Sequence, residues 1–127
     1  HWTHLDSLSW ELLRYLRAAL GIQTPLLRSS DLGVPGEATE RLIGLCRAVG
    51  ADRYYSGDYA AQAYLDAAAM EAAGIAVVLQ DWNCPTYEQR FPHLGFIPDL
   101  SVIDLLLNEG ARSLELILSG AQVALVS

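Results

Sequence analysis

The chain contains no lysine: its eight basic residues are all arginines, scattered from Arg14 to Arg112. Fifteen acidic residues outnumber them, and the net charge is −7. A nucleic-acid binder needs clustered positive charge to displace condensed counterions, and no cluster exists here. Attraction to an anionic membrane surface fails for the same reason. A small anionic ligand needs only a few local donors, so that class stays open. Cysteine is scarce as well. Cys46 and Cys84 are too few for a disulfide framework, and Cys46 sits in the apolar pattern Leu42-Ile43-Gly44-Leu45-Cys46, which reads as core. No apolar run reaches the ~20 residues of a membrane-spanning helix, and the opening residues lack a signal-peptide pattern. The cytoplasm is the expected compartment.

What is present suits one core. Hydrophobic residues make up 52% of 127 residues, a length expected to form a single α/β domain over 1–127. Leu5, Leu8, Leu12, Leu16 and Leu20 recur at helical spacing, with Gly21 as the stop. Ile22 to Leu27 has the look of a short strand, held to an edge by Pro25. A second helix is predicted from Glu37 to Val49, then a strand at Arg53-Tyr54-Tyr55. Asp58 is placed to cap a third helix turning Ala61, Tyr64, Leu65, Ala68 and Ala72 inward. Ile75 to Leu79 is continuously apolar, as in a strand buried on both faces. Helix and strand alternate, which predicts a short parallel sheet covered by helices.

The rhythm breaks at Gln80. Asp81 to Asp99 reads as one long irregular loop containing three prolines, Pro85, Pro92 and Pro98. Loops longer than ~12–15 residues are uncommon and often functional. Ser101-Val102-Ile103-Asp104 then has the form of a capping box opening a helix to about Asn108, and Ala111 to Leu118 forms another. The apolar tail Ala121 to Ser127 leaves a last strand open.

Three stretches carry a family resemblance. The first runs from Leu20-Gly21-Ile22 to Ser29-Ser30-Asp31-Leu32, and the second is Tyr54-Tyr55-Ser56-Gly57 followed by Tyr64-Leu65 and Gly74-Ile75. The most specific is Pro85-Thr86-Tyr87-Glu88-Gln89, then Phe96-Ile97-Pro98-Asp99-Leu100-Ser101-Val102-Ile103-Asp104 running on to Asn108-Glu109-Gly110. Over roughly Leu20 to Gly110 the chain resembles the C-terminal half of WbqC-like proteins. The resemblance implies a role in bacterial glycan biosynthesis of the O-antigen type, with transfer of an aminoacyl or glycyl unit onto a sugar. It also implies a longer protein, because the family's N-terminal half has no counterpart here. Two departures stand out: Asp58-Tyr59 follows Ser56-Gly57 where small residues are usual, and Cys84 stands where members often carry histidine.

Site candidates follow from both readings. The turn at Ser56-Gly57 ends a parallel strand, where a glycine and helix amides can cradle an anion such as a sugar-nucleotide phosphate; Asp58 would compete for those amides. In the loop, Asp81 and Gln89 are the catalytic candidates, with Trp82 and Tyr87 as ligand contacts. The bland alternative is that Trp82, Pro85 and Tyr87 only pin the loop to the core. Asp104 and Asn108, at i and i+4, share a helix face that either completes a cap or meets a ligand. Cys84 lacks a neighbouring base unless His93 approaches, and His1, His4 and His93 show no metal-ligand pattern. No metal and no cofactor is expected. The expected ligand is a sugar or nucleotide-sugar, with a missing N-terminal half or a partner chain completing the protein. The competing reading is a non-catalytic binding or scaffold module in the same pathway.

Overall fold

The computed structural model describes residues 3–57 and 64–125. The chain forms two compact units, one from His1–Leu26 with Cys84–Gly120, the other from Leu27–Asn83 with Ala121–Ser127.

The second unit holds the sheet. Helix α1 (Leu5–Ala19) belongs to the first unit; α2 (Ala38–Ala48), strand β1 (Arg53–Gly57), α3 (Ala67–Ala72), β2 (Ala76–Trp82) and β3 (Ala121–Leu125) belong here. β2 is the central strand, parallel to β1 and antiparallel to β3. The successive residues Val77 and Val78 point to opposite faces, and both are buried. That is the burial predicted for the apolar run. Cys46, Met70, Ile75 and Val77 form the core, with Ile43, Tyr54 and Leu65 packed against it. Burial pushes the Cys46 thiol up from its ordinary value, so this cysteine acts as a small apolar side chain.

The mixed α/β class stands, with corrections. The expected strand Ile22–Leu27 does not form. Pro25 has no amide to give a ladder, and the Thr24 carbonyl accepts from Arg17 Nη1 at 2.7 Å instead. The leucine stripe of α1 contributes no buried residue, and Leu5 and Leu12 are exposed. Asp58 falls outside the described residues. The described helical turn α3 is capped by Asp66, whose Oδ1 accepts from the Ala69 amide at 3.0 Å. The cap at Asp66 sets the phase: Met70 turns inward with 0% exposure, while Tyr64 and Ala68 are exposed. The Asp66 amide itself donates to the buried Thr39 hydroxyl at 3.0 Å, joining α2 to α3.

The long loop begins at Asn83, later than expected, because β2 runs on to Trp82, and from Cys84 it belongs to the first unit. A 3-10 turn at Pro92–Leu94 interrupts it. Helix α4 (Val102–Glu109) follows, then a 3-10 turn at Gly110–Arg112 and helix α5 (Ser113–Gly120). The buried Ser113 hydroxyl donates to the Leu105 carbonyl at 3.3 Å, which fixes the corner between them. Among the described residues, no helix is long and apolar enough to cross a membrane.

Candidate functional site

Helix α4 starts where Ser101 caps it: Ser101 Oγ accepts from the Ile103 amide at 3.2 Å. In a capping box the third helical side chain would turn back to the cap. Asp104 instead offers Oδ2 to the Tyr87 phenol, which donates across 2.7 Å. One turn further on, Asn108 Nδ2 donates to the Asp104 carbonyl at 2.8 Å. Asp104 and Asn108 therefore share one helix face, as their spacing requires, and that face lines a cleft of about 1290 Å³ within the first unit.

The opposite wall is the loop. Phe96 packs edge-on against the Tyr87 ring at 5.4 Å between centroids and 85° between planes. Gln89 closes the loop on itself: its Nε2 donates to the Ile97 carbonyl at 2.8 Å, and its Oε1 accepts the Ile97 amide at 3.0 Å. Both ends of the Gln89 amide are thus committed to backbone eight residues away. At the loop's base, Cys84 Sγ accepts from the Asp99 amide at 3.3 Å and donates to the Pro85 carbonyl at 3.7 Å. Asp99 holds a left-handed backbone, φ 57°, a conformation that costs a non-glycine residue energy and fixes the entry to α4.

Burial pushes the Tyr87 phenol above its ordinary value. The adjacent Asp104 carboxylate and Cys84 push the same way, and a hydrogen bond with Gln89 opposes them. The phenol therefore stays a hydrogen-bond donor across the neutral range. At the far end of α4, Glu109 is a nearly covered carboxylate, with 9% of its side chain exposed. Its Oε1 accepts the Glu88 amide at 3.2 Å, and its Oε2 pairs with Arg112 Nη1 at 3.2 Å. Arg90 also lines the cleft, and no ion-pair partner for it exists among the described residues.

The WbqC-like protein family matches residues 1–116. The chain belongs to the WbqC-like family. The match takes in helix α1 and nearly the whole chain, well beyond the Leu20–Gly110 stretch that carried the resemblance. It is similar to an uncharacterized protein, Rv1507c, of Mycobacterium tuberculosis (strain ATCC 25618 / H37Rv), at 36% identity over 112 residues. That alignment covers 87% of this chain and 47% of the relative, so the chain spans about half the relative's length. No solved structure matches the chain.

Within this WbqC-like chain, Tyr87, Gln89, Asp104 and Asn108 come together around the cleft. Ser56, Gly57, Asp81 and Trp82 belong to the other unit. There Ser56 and Gly57 end β1, in register with Leu79 and Gln80 of β2, so the four residues gather at the carboxyl end of the parallel pair. Asp81 and Trp82 are strand residues and not loop residues, opposite Gln122 and Ala121 of β3. The reading of Cys84 as a nucleophile meets a thiol already bonded to backbone on both sides. The His93 ring packs edge-on against Phe91. Glu109, Arg112 and Arg90 escaped the sequence reading. The i, i+3 spacing of Glu109 and Arg112 was the available signal, obscured by Gly110 between them.

Proposed function

We propose that this chain carries the acceptor site of a cytoplasmic group transferase in bacterial glycan biosynthesis, moving an acyl or aminoacyl unit onto a sugar. It acts as part of a longer protein; coverage of only 47% of the Mycobacterium tuberculosis relative supports that arrangement. The observation that carries the reading is the 2.7 Å hydrogen bond from Tyr87 to Asp104 inside the cleft. A carboxylate positioned by a phenol is suited to accept a proton from a sugar hydroxyl or amine.

The step balances simply. The acceptor oxygen or nitrogen bonds to the carbonyl carbon of an activated ester or thioester donor as Asp104 takes its proton. The tetrahedral intermediate then expels the donor's oxygen or sulfur, which receives that proton. Tyr87 holds the carboxylate in place, and Asn108 supports the same face. Gln89 serves as a positioning residue, because its amide is engaged with Ile97. In the other unit, taken by itself, Ser56 and Gly57 stand at the carboxyl end of β1, where ligands bind in open α/β sheets, and are assigned to an anionic group.

The commitment of Gln89 to backbone also favours a second reading, a binding module without turnover. Mass spectrometry of the glycan separates the two. Deleting the gene removes an acyl-sized mass from one sugar under the transferase reading, and wild-type protein restores it. Under the binding-module reading the sugar keeps its substituent and only the amount of glycan changes.

A further inference from the structure

The same cleft carries two features that proton transfer to a sugar does not use. Five large apolar side chains, Phe91, Leu94, Ile97, Leu100 and Leu107, line it, each between 45% and 83% exposed. Apolar surface gathered in a concavity marks a place for an apolar ligand, whereas scattered exposed leucines would need no explanation. Two of the chain's eight arginines, Arg90 and Arg112, line the same cleft in a protein of net charge −7. Arg112 is held in place through Nη1 by the covered Glu109 carboxylate, while its side chain remains 70% exposed. Arg90 has no ion-pair partner among the described residues. Three carboxylates line the cleft: Glu109 is engaged by Arg112 and Asp104 by Tyr87, while Glu88 is tied in through its backbone amide, which leaves one side-chain carboxylate facing the two arginines. Guanidinium groups beside an open apolar wall complement a ligand with both a phosphate and a hydrocarbon part.

We infer that this cleft binds a phosphate or diphosphate carried on an apolar chain, so that the acceptor sugar is presented on an amphiphilic phosphate carrier. The inference rests on the cleft being the acceptor site. Arg90 and Arg112 clasp the phosphate, and the apolar wall takes the first part of the chain.

Calorimetric titration of the whole chain with geranyl diphosphate, inorganic pyrophosphate and geraniol tests it without any turnover. Geranyl diphosphate is expected to bind at least about tenfold tighter than either other probe. R90A weakens both phosphate probes, and R112A does the same. L107A, at a residue 83% exposed whose loss leaves folding intact, weakens geranyl diphosphate alone. Pyrophosphate binding as tightly as geranyl diphosphate overturns the inference in favour of a free phosphate ligand. Geraniol binding as tightly, or no probe binding at all, overturns it too. Intact binding with no sugar transfer removes the transferase reading alone; transfer without binding removes only this inference.

Discussion

Tyr87 and Asp104, seventeen residues apart, meet across 2.7 Å, phenol to carboxylate. The contact links the loop to the first turn of α4 and explains why the aspartate leaves the capping role its spacing suggests. A bond to an ionised acceptor contributes about 1.5–3 kcal/mol net. Y87F and D104N should each destabilise the protein by an amount in that range. Denaturant melts of both singles and the double variant measure the pair: the double should lose less than the two singles added together.

The same pair sets an alkaline limit. The Tyr87 phenol is raised above its ordinary value of about 10 by burial first and by Asp104 beside it. A raised native value means the folded protein holds the proton more tightly than the unfolded chain. That stabilisation is complete below pH ~10 and is lost as pH rises through the native value. The tyrosinate absorbance that Y87F loses relative to wild type should be centred above the ordinary value of a phenol. A difference curve centred at or below the ordinary value contradicts this.

How much of this was legible in sequence depended on how local each contact is. Consecutive apolar residues announced β2, and Ser101 before Val102 announced α4, because burial on both faces and capping are written within a few residues. Asp81 and Trp82 were read as loop because their strand partner, β3, lies forty residues on and pairs only in the folded chain. The helix phase near Met70 is not legible because a cap at Asp66 leaves no mark in the apolar spacing. Within the site, Tyr87, Gln89, Asp104 and Asn108 were chosen for their chemical types and do share a cleft. The partner of each depended on loop closure. Gln89, chosen as catalytic, faces Ile97 for that reason.

The core centres on Met70, which is 0% exposed beside Cys46, Ile75 and Val77. M70A should cost about 2–5 kcal/mol, since a lost side chain leaves a cavity as well as lost burial. Chemical denaturation should show a lower midpoint with an unchanged slope.

Helix α2 passes close to Val34 at Gly44, where an added Cβ would sit 2.5 Å from Val34 Cγ1. G44A should destabilise by about 1–3 kcal/mol through overpacking. V34A combined with G44A should recover most of that loss in a thermal melt. Failure to recover would place the strain elsewhere.

The account turns on the Tyr87–Asp104 cleft as the place of transfer. Its most direct test is the glycan mass spectrum of a gene-deleted strain carrying full-length Y87F or D104N at wild-type protein level. The acyl-sized mass should stay absent or fall at least about a hundredfold, the scale of general acid–base catalysis. Full restoration of that mass by both variants would contradict the account.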